Sequence, residues 1–115
     1  MRRGEIRMVD LEPVRGSEPN KRRPCVIVSN DGANRVAERL GRGVFTVVPV
    51  TRSVADIYPF QVALPATGTG LPEDSKAQAE QVRSISVERI GAAVGIVPAA
   101  LIASLDEALR LHLGI

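Results

Sequence analysis

Apolar residues recur at every second position, or in short solid runs, over most of the chain, and only twice at helical spacing. Between Glu5 and Leu11 the residues Ile6, Met8, Val9 and Leu11 predict a short strand with one wet edge. Glu12 to Arg23 reads as a long polar loop, because Pro13, Gly16, Ser17, Pro19 and Asn20 stand there among charges. Pro24 then opens a β-branched run, Cys25 to Ser29, that predicts a central strand closed by Asn30 and Asp31. Val36, Ala37 and Leu40, between Gly32 and Gly41, predict two turns of helix from Asn34 to Leu40.

Further on, Val44, Phe45, Val47, Val48 and Val50 predict a strand from Gly43 to Thr51 buried on both faces, with Pro49 at a bulge or near its end. Phe60 to Leu64 alternates as a half-buried strand between Pro59 and Pro65, and Ala66 to Asp74 is a second loop. Lys76 to Ile85 predicts one more strand, with Gln78, Glu80 and Arg83 among its polar positions, and Ala92 to Val97 a last short one. Pro98, in a first helical turn, then Leu101, Ile102, Leu105, Ala108, Leu109 and His112 spell an amphipathic helix that Gly114 ends. The fold class is mainly β with α: a compact antiparallel barrel or sheet, a short helix after the second strand, and a C-terminal amphipathic helix covering one side.

At 115 residues the chain suits a single domain spanning residues 1–115. Strands do not alternate with helices as in βαβ units, and no glycine-rich phosphate fingerprint or internal repeat is present, which excludes the nucleotide-fold enzymes. No apolar run approaches the roughly 18 residues that cross a bilayer, and Met1-Arg2-Arg3-Gly4-Glu5 is not a secretory leader, so a cytoplasmic protein without membrane association is expected. The formal charge is only +2, but residues 1–23 hold seven Lys/Arg against four Asp/Glu. That local excess, with Lys21, Arg22 and Arg23 in a row, points to an anionic partner.

The residues available for chemistry are few. With one histidine, His112, at a helix end, two-histidine nuclease schemes and Ser/His/Asp or Cys/His triads are excluded. Cys25 is alone, so it forms no intramolecular disulfide; lacking Cys and His companions, it holds no metal, and it reads as a packed core thiol. Glu73 and Asp74 read as a solvated pair in a loop. What remains is arginine. Arg23 precedes Pro24 at the mouth of a predicted central strand, where a stiff backbone aims a planar five-donor fork suited to phosphate. Thr51 would bring a hydroxyl beside it if the two strands are neighbours. From the residues alone both positions stay open, Arg23 as a surface arginine and Thr51 as a strand-end turn residue. Arg15, Lys21, Arg22 and Arg52 could line a basic groove or a solvated face, and Tyr58 and Phe60 are the aromatic candidates for stacking on bases.

Arg-Gly-Glu-Ile (Arg3 to Ile6), Val-Asp-Leu-Glu-Pro (Val9 to Pro13), Gly-Ser-Glu (Gly16 to Glu18), Arg-Arg-Pro-Cys-Val-Ile-Val-Ser (Arg22 to Ser29), Val-Val-Pro-Val-Thr (Val47 to Thr51), Tyr-Pro-Phe (Tyr58 to Phe60) and Ala-Glu-Gln-Val-Arg-Ser-Ile (Ala79 to Ile85) run in order along almost the whole chain. Together they resemble the MazF/PemK (Kid) family of toxins. The resemblance implies a homodimeric SH3-like, CcdB/Kid-type barrel and a cofactor-free, metal-independent endoribonuclease that cuts single-stranded RNA at short sequences. It implies neutralisation by a cognate MazE-like antitoxin, with DNA met only through that antitoxin. Arg23 and Thr51 match the two positions usually held catalytic in the family, and Glu18 and Gln81 match positions tied to catalysis or RNA contact. The Kid branch has aspartate where this chain has Glu80, histidine where it has Ser17 and arginine where it has Gln78, so the MazF-type assignment transfers better. On this reading Ser17, Lys21, Arg22, Arg52, Gln81 and Arg83 are the RNA-binding candidates.

The implied reaction is attack of a ribose 2′-hydroxyl on the adjacent phosphorus, leaving a 2′,3′-cyclic phosphate and a 5′-hydroxyl. Arg23 would clamp the transition-state charge, while a glutamate, Glu18 or Glu80, would be the ordinary proton acceptor. Two alternatives remain at this point: a CcdB-like gyrase poison, faintly suggested by the Leu113-Gly114-Ile115 tail but without its tryptophan, and a non-catalytic RNA-binding barrel.

Overall fold

The computed structural model describes residues 1–11, 16 and 22–115. Among these, seven strands and two α-helices follow in the order β1 (Glu5–Asp10), β2 (Arg22–Ile27), α1 (Asp31–Leu40), β3 (Val44–Thr51), β4 (Gln61–Leu64), β5 (Ser75–Gln78), β6 (Arg83–Ser86), β7 (Ile90–Ile96) and α2 (Ala99–Leu113). The strands pair antiparallel in the order β4-β5-β3-β2-β1-β7, and β6 also pairs β3. The mainly β architecture with a short and a C-terminal helix is therefore present as expected.

β3 organises the sheet because both of its edges are used. One edge takes β2, with Cys25 opposite Pro49, Val26 opposite Val48 and Ile27 opposite Val47. The other takes β6 along Val44 to Val47 and β5 at Val50 and Thr51. The single strand expected from Lys76 to Ile85 is thus two strands, separated by a 3₁₀ turn at Ala79–Gln81. Pro49 explains the gap. Thr46 turns its polar groups to the β2 side, accepting from Val28 N–H at 2.9 Å and donating its own N–H to Ser29 Oγ at 3.1 Å. Pleating alternates this direction, so Pro49, three residues on, turns its hydrogen-free nitrogen to the opposite edge, between β6 and β5.

The sheet buries apolar side chains on both faces. One face packs Ile6, Val26, Val48, Val50, Val62 and Ala77 against Leu105 and Ala108 of α2. The other gathers Val9, Leu11, Cys25, Ile27, Phe45, Val47 and Ile85, with Ala37 of α1. A run such as Val47 to Val50 is buried at every position for this reason.

The helices depart from expectation in detail. Asn30, expected to close the preceding strand, caps α1 instead, its side chain accepting from Ala33 N–H at 2.8 Å. Val36 and Leu40 are exposed, and α1 docks through Ala37 and the buried Asn34, whose Nδ2 donates to the Ser29 carbonyl at 2.9 Å. The helix is seated by polar bonds to the end of β2, so its apolar stripe is not the face that counts. Pro98 is the N-cap of α2 and Gly114 ends it in the left-handed region, φ +71°. β2 starts at Arg22 rather than Cys25, which moves Arg22 and Arg23 from the expected loop into the sheet.

The two ends of the sheet meet through a loop. Ile96 N–H donates to the Thr69 carbonyl at 3.1 Å, so the β4–β5 connection lies against β7. A Cβ on Gly95 would fall inside the van der Waals envelope of the Thr69 carbonyl, and one on Gly70 would meet Val94 and Gly95. Gly95→Ala is therefore expected to lower unfolding stability in urea by about 2–4 kcal/mol. Gly68→Ala, with open space but a φ of +86°, should cost only about 1 kcal/mol; equal losses would show that Thr69 does not lie against β7.

Candidate active site

The β2–β3 register decides which of the sequence-selected residues meet. The ladder runs from Ile27 opposite Val47 to Cys25 opposite Pro49, and Arg23 and Thr51 lie two residues beyond that last pair on their own strands. Both share the face of Cys25 and Val47, at the point where the apolar cover of that face ends. A cavity of about 880 Å³ opens at the same end of the ladder. Arg22, Arg23, Thr51 and Arg52 line it, with Met8, Pro24, Val50 and Leu71 as its apolar wall. Consecutive residues of both strands contribute, so the cavity meets the end of the ladder rather than one face alone.

Arg23 is half-buried, and its Nε is buried with no hydrogen-bond partner among the described residues. A buried guanidinium donor left open in this way is costly unless something supplies an acceptor. Thr51 Oγ1 accepts from Ser53 N–H at 3.2 Å, which holds its lone pair and leaves the hydroxyl hydrogen to donate elsewhere. Arg52 is engaged at 2.6 Å by Glu73 in an exposed ion pair, an interaction that solvent keeps weak. Arg22 reaches over β1 to lie against Gly91 of β7.

Thr51 pairs on its other side with Lys76, and Gln78 pairs with Gln61 one step along. Because Val50, Ala77 and Val62 face the α2 core, Thr51, Lys76, Gln78 and Gln61 all face the other way, on the Arg23 side. Glu80, in the 3₁₀ turn, joins them: its Oε2 accepts from Gln61 Nε2 at 2.7 Å, while its Oε1 is buried and without a partner among the described residues. Gln78 Oε1 is left in the same condition. Arg83 pairs with Val47 on this face too, and Gln81 closes the turn beside Glu80. Glu18, Ser17 and Lys21 lie outside the described residues.

Lys76 and Gln61 were missed as site residues. Their signal was a polar side chain in a strand of alternating polarity, which normally means solvent. Here they are buried, because the segment before β4 folds over them: Lys76 Nζ donates to the Asp56 carbonyl at 2.5 Å, and Gln61 Oε1 accepts from Tyr58 N–H at 3.1 Å. His112, in the last turn of α2, is exposed. Among the described residues no three His, Cys, Asp or Glu side chains gather closely enough to hold a metal ion.

The molecule is thus a small antiparallel barrel protein whose candidate site is built on an arginine with an open donor. The family described as PemK-like, MazF-like toxin of type II toxin-antitoxin system matches residues 2–113, and the chain belongs to it. It is 66% identical over 113 residues to the endoribonuclease MazF9 of Mycobacterium tuberculosis, covering 98% of this chain and 96% of that one. MazF from Deinococcus radiodurans shares its fold with a TM-score of 0.82 at 28% identity, over 100% of this chain and 97% of the other. A MazE-MazF structure from the same organism matches with a TM-score of 0.73 at 26% identity, over 100% and 96%. The endoribonuclease toxin reading of the sequence stands, and neither the gyrase-poison nor the passive-binder alternative gains support.

Cys25 gives a test of this packing. Burial pushes its thiol up to about 12 from 9.0, and the nearby Arg23 and Arg83 guanidiniums offset only part of that. The thiol should resist an aromatic disulfide reagent at pH about 8 in the native protein and react once unfolded. A raised folded-state value means that the unfolded chain loses its proton first. Stability is therefore full below pH about 9 and falls as pH rises toward about 12. Urea unfolding across that window should show a smaller fall for Cys25→Ala; parallel slopes would place the thiol in contact with water.

Proposed function

We propose that the chain, acting as one domain over residues 1–115, is the endoribonuclease toxin of a toxin–antitoxin pair and cuts single-stranded RNA at short sequences without a metal ion. Arg23 and Thr51 lining one cavity, with a buried arginine donor left open, is the observation that carries this reading. A scissile phosphodiester supplies the acceptors which that donor lacks.

The bond from the ribose 2′-oxygen to phosphorus forms as the bond from phosphorus to the 5′-oxygen breaks. The 2′-hydroxyl proton goes to a carboxylate, and the departing 5′-oxygen takes a proton from solvent water, so a 2′,3′-cyclic phosphate and a 5′-hydroxyl remain, and the carboxylic acid returns its proton to solvent. Arg23 binds the non-bridging oxygens, whose charge grows in the transition state. Thr51, its lone pair held by Ser53, donates its hydroxyl hydrogen to the same phosphate. Glu80 offers an open carboxylate oxygen, and Glu18 is the second acceptor candidate. Ser17, Lys21, Arg22, Arg52, Gln81 and Arg83 contact the RNA around this centre. A second copy completes the working dimer, a MazE-like antitoxin occupies the RNA groove in the neutralised state, DNA is met only through that antitoxin, and the protein works in the cytoplasm. Among the described residues no helix is long and apolar enough to cross a membrane.

Incubation with a long mixed-sequence RNA in excess chelator, followed by end mapping, should give cyclic-phosphate termini. Arg23→Ala should lower kcat about 10²- to 10³-fold, and Thr51→Val about 10- to 100-fold, the loss expected for one hydrogen bond to a charged group. Full cleavage by Arg23→Lys together with full activity of both Glu18→Gln and Glu80→Gln would refute the division of roles between clamp and proton acceptor.

A further inference from the structure

Lys76 is 7% exposed, an unusual place for a lysine, which is seldom buried unless paired. None of the ion pairs among the described residues includes it. Its ammonium is held by the Asp56 carbonyl and lies 5.8 Å from the centre of the Tyr58 ring, weak compensation for a desolvated charge. An apolar residue would fill this position at lower cost to folding, so the charge calls for a counter-charge, which no ion pair among the described residues supplies.

The register says where that counter-charge would sit. Lys76 pairs directly with Thr51, and Thr51 lines the same cavity as Arg23. We infer that Lys76 is a second phosphate-binding cation of the RNA site, holding a backbone phosphate next to the one that Arg23 clamps. The inference rests on the endoribonuclease reading and extends it. Of the three ammonium hydrogens, one goes to Asp56 and one direction is taken by the Tyr58 ring; the third remains for a phosphate oxygen.

A labelled, mixed-sequence 2′-O-methyl oligoribonucleotide, which 2′-attack cannot cleave, gives Kd by anisotropy over a salt series. Lys76→Met should bind more weakly, with a log–log salt slope about 0.7 smaller, and Lys76→Arg should keep the native slope. Lys21 and Lys76 are the only lysines in the chain. Carbon-13 at the lysine ε-carbon in the Lys21→Gln protein therefore leaves one signal, which should shift when the RNA binds. This measurement decides the matter should Lys76→Met fail to fold. An unchanged slope in Lys76→Met and an unmoved lysine signal, with RNA still bound, would leave Lys76 as a tether for the segment before β4 and overturn the inference. If the native chain binds no RNA at all, the endoribonuclease reading itself fails.

Discussion

The register between β2 and β3 is the constraint on which the rest depends. It is held by burial on both faces: Cys25, Val26 and Ile27 meet Val47, Val48 and Pro49, with α2 packing below and Phe45, Val9 and Leu11 above. A slip of one residue would turn every one of these side chains to the wrong face. The same slip would shift Arg23 relative to Thr51, so the core that stabilises the ladder also aligns the candidate site. Pro49 adds a stop on the far edge, where its missing hydrogen keeps β5 and β6 apart.

That stop shapes the candidate site. If β5 and β6 were one strand, the residues between them would be tied into a ladder. Broken at Ala79–Gln81, the chain instead delivers Glu80 to Gln61 and leaves a carboxylate oxygen open. Arg23 Nε, Gln78 Oε1 and Glu80 Oε1 are buried and unpartnered among the described residues. Each costs folding on the order of 1–3 kcal/mol, a loss that only a partner supplied from outside would recover. Cys25 lies beside this region and takes no part: burial suppresses its ionisation more than the two arginines promote it.

Much of the fold was legible from local pattern. The β-branched runs of β2 and β3, the alternation of β4 and the α2 stripe ended by Gly114 lie close to their expected places, because periodicity reports burial directly. The misreadings share a cause. Val36 and Leu40 promised an apolar helix face, but α1 is docked through Asn34 and its bonds to Ser29. Arg22 and Arg23 read as loop because they are charged, yet they extend β2. The break in Lys76 to Ile85 comes from a proline in a different strand. In each case the deciding partner is one that the apolar pattern does not display.

The chain by itself determined which residues exist for chemistry: one histidine too few for a nuclease dyad, one cysteine, a basic N-terminal stretch, and an arginine before a proline. It determined the elements too, since period and turn chemistry are local. Only the tertiary structure decided that Arg23 and Thr51 line one cavity, that Lys76 pairs with Thr51, and that Arg52 is tied to Glu73. Strand pairing is a contact between segments with no local signal of their partner. The choice of face and neighbour is made by burial summed over the whole sheet.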